Sequence, residues 1–453
     1  MRDTINVIVV GAGFGGLSTA ISLRNIGCNV SVYELSKDLS RQGDVIMLGS
    51  NASRVISQWP GMLEKVRKVS SLPTNLKICD KSGKLLVEQP LPSEFDGFPN
   101  SYANRTRVQN YMYEYAKEIG VQFTFDARIT EYQEDGELAS IIYNGQRISA
   151  DIVVAADSVH SRARAYVTGK PEKAQKSGFA VYRSWFDLDT LNNNPLTNHI
   201  AESDHDEYRV WIGENTHAIL TTNRNLRAVT VFCTHKDTTD IEESWNIPGK
   251  VQDMLKVVED WDPLLQQLVK SIPESVLIDY KLLWRDPVRK WVSDGGRVVL
   301  AGDAAHPHLP TSGTGGAQAI EDGATLGVLI KKAGKKDLKR ALKVFEKLRF
   351  ERTSLTQRAG WELRHRWHQT DWDAVAKDPS FLNQPQPRWL YGHDAAKYAD
   401  ANYDAALSHL DTASPFTSTN VPEDYVHEDW TIGQMMAKEG VKADADFYRV
   451  QLK

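Results

Sequence analysis

The start of the chain constrains its fold most. Ile5–Val10 is a short, β-branched apolar run, the pattern of a strand buried on both faces of a parallel sheet. It leads directly into Gly11-Ala12-Gly13-Phe14-Gly15-Gly16, after which Leu17, Ala20, Ile21 and Leu23 recur at helical spacing until Gly27. Val30-Ser31-Val32-Tyr33 is a second strand, ending at Glu34. Strand, turn, helix and strand form a β-α-β unit, which demands a parallel sheet covered by helices. Gly11, Gly13 and Gly16 form G-x-G-x-x-G where that spacing has a mechanism. The first glycine makes the tight turn, the second admits a pyrophosphate to the backbone, and the third lets helix and strand pack closely. The helix N-terminus offers free N–H groups to the phosphates. Glu34 is placed to accept both hydroxyls of an adenosine ribose and to repel a 2′-phosphate, so this site suits FAD or NAD rather than NADP.

At 453 residues the chain is too long for one domain at roughly 100–200 residues each. Arg105–Ile119 predicts a helix, Val121–Phe125 a strand, and Ile152–Ala156 another short buried strand ending at Asp157. The character of the chain changes over residues 175–285, where alternating runs such as Arg209-Val210-Trp211-Ile212 and Arg227–Phe232 predict an antiparallel sheet. Arg297-Val298-Val299-Leu300 then returns to the buried-strand pattern, so the antiparallel stretch reads as an insertion. Helix signals dominate Ala317–Leu329 and Leu338–Arg366. Residues from about 380 to 453 show little periodicity and read as a tail packed on the body. The expectation is an α/β chain: a Rossmann-type nucleotide-binding domain in two parts (1–174 and 286–370), an inserted, mostly antiparallel β-sheet domain (175–285), and C-terminal helices with a tail (371–453).

Composition excludes several classes. The net charge of −5 carries no basic stripe interleaved with aromatics, which argues against nucleic acid. No apolar run reaches the roughly 18 residues of a membrane span. Cys28, Cys79 and Cys233 are scattered, with no C-x-x-C pair, which fits a reducing, cytoplasmic setting and no zinc site. His306 and His308 flank Pro307 without a suitably spaced third ligand, so a structural role is expected and no metal.

A second motif lies far along the chain. Val298–Leu300 ends in Ala301-Gly302-Asp303-Ala304-Ala305-His306-Pro307, followed by Pro310-Thr311-Ser312-Gly313-Thr314-Gly315-Gly316 and a helix carrying Ile320-Glu321-Asp322. Asp303 at a strand end can accept a polyol hydroxyl, a glycine loop can lie against a flat ring, and the following helix N-terminus stabilises negative charge. The order G-x-G-x-x-G, an Arg-bearing helix, an Asp at a strand end, then G-D-A-A-H-P…P-x-x-G-x-G…I-E-D resembles the group A FAD-dependent monooxygenases. The salicylate hydroxylase-like branch, with its fungal tailoring enzymes for indole alkaloids and phenolic compounds, is the nearest match, over roughly residues 4–370.

The resemblance implies FAD as cofactor, with Glu34 on the adenosine ribose, Asp303 on the ribityl chain, and Gly315 and Gly316 against the flavin ring or pyrophosphate. Asn104–Gln109 resembles the family's Arg-bearing segment and implies that Arg105 reaches the pyrophosphate. Gly43-Asp44-Val45-Ile46 resembles its segment near the flavin edge, with Val45 replacing a glycine and Asp44 adding a carboxylate. Gly178–Trp185 resembles its G-x-x-A-Y-R strand, making Arg183 the leading catalytic candidate and Asp44 its companion. Asp157-Ser158 stands where the family has Asp-Gly, which places a Cβ where backbone approach should be close. Thr221-Thr222 follow Trp211-Ile212-Gly213 and His217 where phenol-hydroxylating relatives often carry a tyrosine, which favours a neutral aromatic such as indole.

The implied reaction uses NADPH or NADH as a transient co-substrate and O2, through a C4a-hydroperoxyflavin, to hydroxylate or epoxidise an aromatic small molecule. An indole-alkaloid-type metabolite is the expected substrate, in a monomer or homodimer. The competing readings are a phenol or salicylate-type ring hydroxylase, a flavin-dependent reductase or oxidase of the same fold, and a non-catalytic flavin-binding regulator.

Overall fold

A computed structural model describes residues 4–39, 44–171, 173–237 and 247–441. The initial β-α-β unit comprises β1 (Asn6–Val10), α1 (Phe14–Asn25) and β2 (Asn29–Tyr33). Helix α2 (Arg105–Glu118) leads to β3 (Gln122–Thr124), and β4 is Ile152–Ala155. With β10 (Val298–Leu300) these strands form one sheet in the order β3-β2-β1-β4-β10, parallel at every pairing. Strand β10, far away in sequence, thus ends beside the glycine turn. Short parallel strands buried on both faces need the apolar runs the sequence shows.

The antiparallel stretch builds β5 (Gln175–Arg183), β6 (Tyr208–Gly213), β7 (Thr216–Asn223), β8 (Ala228–Lys236) and β9 (Ile278–Trp284). They lie in the order β9-β5-β8-β7-β6. Residues 75–90 contribute two further strands, Asn75–Asp80 and Leu85–Pro90, the first pairing parallel with β6. This sheet therefore extends beyond the expected 175–285 stretch. Gly178 takes φ +79° at an irregularity of the β5–β9 pairing.

One sheet face packs on helices Val251–Val257 and Pro263–Lys270 through Trp211, Ala218, Leu220, Val231 and Cys233. The opposite face turns toward the parallel-sheet half and the long helix α4 (Leu338–His368). Both faces are buried, so the strands show little polar–apolar alternation.

C-terminal helices are expected, and one falls in the stretch from about residue 380 that shows little periodicity. It is the 18-residue helix α5 (Ala395–Thr412), capped by Asp394 and buried along Ala395, Ala399, Tyr403 and Ala406. Alanine and tyrosine at that spacing make a weak apolar stripe, which polar neighbours concealed.

Helix α3 (Gly315–Ala333) crosses α1 closely. The Ser18 hydroxyl donates to the Ile320 carbonyl at 2.9 Å. A Cβ on Gly323 would stand 2.5 Å from backbone atoms of Ser18 and Thr19, which cannot retreat as a flexible side chain can. Gly323→Ala is therefore expected to cost about 1–3 kcal/mol in urea unfolding, within the usual range for overpacking. An unchanged midpoint would show that the helices separate freely.

Candidate active site

A cavity of about 870 Å³ runs from the glycine turn to the antiparallel sheet. Gly11, Gly13, Glu34, Asp44, Val45, Arg105, Asp157, Arg183, Asp303, Gly315 and Gly316 all line it. Gly16 does not: its Cβ would overlap the Gly11 carbonyl at 1.9 Å, so this glycine serves the turn's own packing. Gly43 lies outside the described residues. Gly11, at φ +101°, leaves no room for a Cβ against the Ala156 carbonyl, whereas Gly13 has no atom within 4 Å of that point and opens onto the cavity.

At this end the Glu34 carboxylate accepts from the Ala12 amide at 2.7 Å and the Ser36 amide at 2.8 Å. These bonds fix its orientation and leave lone pairs for further donors. Gln109 on α2 donates to the Ala12 carbonyl at 2.7 Å, tying that helix to the turn. The α2 N-cap, Asn104, accepts from the Arg107 amide, so the helix starts at Arg105. Arg105 lines the cavity and Arg107 is exposed outside it.

Asp157 accepts from the Tyr132 hydroxyl at 3.0 Å and the Arg162 amide at 3.2 Å. Burial raises its carboxyl above the ordinary range. Ser158 adopts φ +70°, a conformation glycine takes freely and serine holds at a cost of about 1 kcal/mol. The substituted glycine position has thus kept its left-handed backbone.

At the other end Asp303 is exposed to the cavity, yet its walls enclose the carboxyl and raise it; His306 and Arg105 oppose that shift. The Gly302 amide donates to Asp322 at 2.8 Å, and the His306 ring pairs with the same oxygen at 2.7 Å. His308 meets the Thr356 hydroxyl at 2.8 Å. Helices α1 and α3 both begin at the cavity, with no side-chain hydrogen bond capping their first turns. Two helix N-termini at separate points of one cavity suit a ligand with negative charge at each.

Between these ends the Asp44 carboxylate meets two cations. Arg183 Nη1 lies 2.7 Å and Arg105 Nη1 4.0 Å from the same oxygen. The Arg105 amide donates to the Asp44 carbonyl at 2.9 Å. Asp44 is 8% exposed, and its second carboxylate oxygen is buried without a hydrogen-bond partner. The Arg183 guanidinium lies 5.0 Å from the Tyr280 ring centroid.

Alternate residues of the antiparallel sheet form the remaining wall: Val181 and Arg183, Phe232 and Thr234, His217, Ile219 and Thr221, Tyr280 and Leu282. Trp367 and Gln384 close it from α4 and the segment beyond. Thr221 and His217 stand out in the sequence but have no assignable face there. Thr234, Trp367 and Gln384 carry no sequence signal at all, because their placement depends entirely on packing.

Comparison with known proteins identifies the ligand this arrangement suits. Residues 4–346 match the FAD binding domain family. The chain is 34% identical over 432 residues to asperlicin C monooxygenase of Petromyces alliaceus, covering 93% of each protein. Among solved structures it superposes on native FqzB with a TM-score of 0.85 at 32% identity, covering 94% of this chain and 100% of that one. CtdE, solved with FAD and a substrate, gives 0.84 at 30% identity, covering 90% of this chain and 100% of that one. The chain belongs to the FAD-binding-domain family of flavoprotein monooxygenases. Its cofactor is FAD and its activity that of an FAD-dependent monooxygenase, the class in which NADPH is the customary reductant.

Glu34→Ala should weaken FAD retention at least tenfold in a flavin-fluorescence titration, because the carboxylate expected at the ribose and its brace on Ala12 would disappear together; unchanged affinity would place the ribose elsewhere. Burial also lowers His217 and His308 to about 3 and His365 to about 4. Below about pH 6.5 the unfolded chain therefore binds protons that the folded one refuses. Stability should fall from there toward pH 4, read as a lower urea midpoint at pH 5 than at pH 7.

Proposed function

We propose that the protein inserts one atom of O2 into an electron-rich, neutral aromatic ring bearing an N–H, of the indole type, with NADPH or NADH as reductant. The observation that carries this reading is the Asp44–Arg183 pair in the cavity wall: a buried carboxylate with one oxygen 2.7 Å from the guanidinium Nη1. A phenolate beside this pair would be repelled by the carboxylate, whereas a neutral ring such as indole would not. Because Asp44 offsets the Arg183 charge, the pair also suits a neutral ring better than an anionic one. One relative, Notoamide E oxidase notB of Aspergillus sp. (strain MF297-2), 32% identical over 431 residues, is named for the oxidation of notoamide E.

The division of labour we infer gives 1–174, apart from the strands of 75–90, and 286–370 to the cofactor, 175–285 with those strands to the substrate, and 371–441 to packing against both. FAD, when bound, supplies reduction by the nicotinamide and activation of O2. Glu34 and Asp303 would hold its ribose and ribityl hydroxyls, Arg105 its pyrophosphate, and the α1 and α3 N-termini its negative charges. Val45, Gly315 and Gly316 border the ring's place, and Asp157 the nicotinamide's approach. Arg183 keeps a fixed cation beside the reacting atoms, because guanidinium does not deprotonate at working pH. The apolar wall excludes the water that would divert oxygen to peroxide.

Arg183→Ala should remain yellow but convert most of its NADPH to H2O2, and Asp44→Asn should raise KM for indoles more than for phenols. Peroxide release together with 18O2 incorporation into product measures both. Full coupling in Arg183→Ala would remove that residue from the reaction, and a wild-type preference for phenols would favour the ring-hydroxylase alternative.

A further inference from the structure

One buried group on the cavity wall has no part in binding FAD or in the Arg183–Asp44 pair. His217 of β7 and His368, the last residue of α4, face each other with Nδ1 of the first 2.7 Å from Nε2 of the second. Both rings are buried, at 2% and 3% exposure, and neither is paired with a carboxylate among the described residues. The other nitrogen of His217, Nε2, lies 3.3 Å from the Thr234 hydroxyl. His217 and Thr234 are direct partners across β7 and β8, and both line the cavity.

The contacts set the direction of these bonds. Only one proton can lie between the two rings. If His217 supplied it, His368 would carry its own hydrogen on Nδ1, which is buried without a hydrogen-bond partner. If His368 supplies it from Nε2, Nδ1 is left as a bare lone pair. A buried donor without a partner is rarer and costlier than an unused lone pair. His368 therefore donates to His217 Nδ1, and His217 donates from Nε2 to the Thr234 oxygen. The Thr234 hydrogen then points away from that bond and is available to the cavity.

Thr234 has a defined place relative to the reacting end. Arg183 pairs with Phe232 across β5 and β8, and Thr234 lies two residues further along β8 on the same face. Diagonal neighbours of this kind stand roughly 7–8 Å apart, about the width of one additional fused or linked ring.

We propose that Thr234, oriented by His217 and His368, donates a hydrogen bond to a neutral carbonyl of the substrate, one ring's width from the ring held at Arg183. The substrate class is an N–H aromatic joined to a unit that bears a neutral carbonyl. A single neutral hydroxyl could not offset a buried carboxylate, so a carboxylic acid is not the partner. This inference rests on the monooxygenase reading; Thr234 is the contact, and the two histidines are positioning residues.

The test compares an indole linked to a cyclic dipeptide with 3-(cyclohexylmethyl)indole, which has similar size and no carbonyl. In wild-type holoenzyme the first should stimulate NADPH oxidation at lower concentration. Thr234→Val should reduce the ratio of kcat/KM between the two compounds roughly tenfold, mostly through KM, and Thr234→Ser should restore it. Spectra of ring-15N histidine should show both His217 and His368 as Nε2–H tautomers. An unchanged ratio in Thr234→Val, or an Nδ1–H on either ring, overturns the proposal while leaving the monooxygenase reading intact. Flavin-loaded protein that neither compound stimulates overturns the proposal and the choice of an indole-type substrate together.

Discussion

Two acids on α3 and two arginines on α4 form the interaction on which the rest of the site depends. Glu321 is gripped by Arg349 and by both Nε and Nη2 of Arg352, and Asp322 by Arg349 Nε at 2.8 Å. All four side chains are fully buried. Burial alone would raise both carboxyls, but Arg352 and Arg349 hold Glu321, and His306 and Arg349 hold Asp322, below the ordinary range. Removing one member of such a group leaves an uncompensated buried charge, a loss of about 3–5 kcal/mol.

What the group holds explains its position. Asp322 takes the Gly302 amide and the His306 ring, fixing the loop that presents Asp303. Glu321 takes the Asn51 amide at 2.6 Å, anchoring the helix that follows the Asp44–Leu48 segment. Arg352 donates to the carbonyls of Trp389, Leu390 and Asn420, drawing the C-terminal stretch onto α4. One buried charge cluster thus sets where the cofactor loop, the Asp44 segment and the cavity's far wall stand relative to one another. Desolvated charges suit this task because they tolerate few alternative arrangements.

The cavity lies where the two sheets meet, and its chemistry changes along its length. The end proposed for the nucleotide is backbone: glycine turns, helix N-termini and carboxylates braced by amides. The end proposed for the substrate is side chain: Arg183 against Asp44, then aromatic and aliphatic surface broken by His217, Thr221 and Thr234. Backbone recognition tolerates much substitution, whereas side-chain recognition can be retuned one residue at a time. A family can therefore keep one cofactor and vary its substrates.

The end of the cavity proposed for the nucleotide was legible in the sequence because its determinants are local. A glycine turn between a β-branched run and a helix has one physical use, and Glu34 and Asp303 sit at strand ends where a parallel sheet must present them. Ser158 was legible as a departure because only glycine takes a left-handed backbone freely. The tail helix Ala395–Thr412 was not, since its small apolar stripe is stabilised by α3 and α4 rather than by its own pattern. The facing of the antiparallel sheet was not either: with both faces buried, alternation carries no contrast, and a shift of one residue would exchange the cavity wall for the core. Sequence alone determined the glycine turn and the strand-end carboxylates proposed to hold the cofactor, through local backbone geometry. Tertiary structure alone decided that Arg183, Asp44, His217, Thr234 and His368 come together at one cavity, because those contacts join residues that only packing brings together.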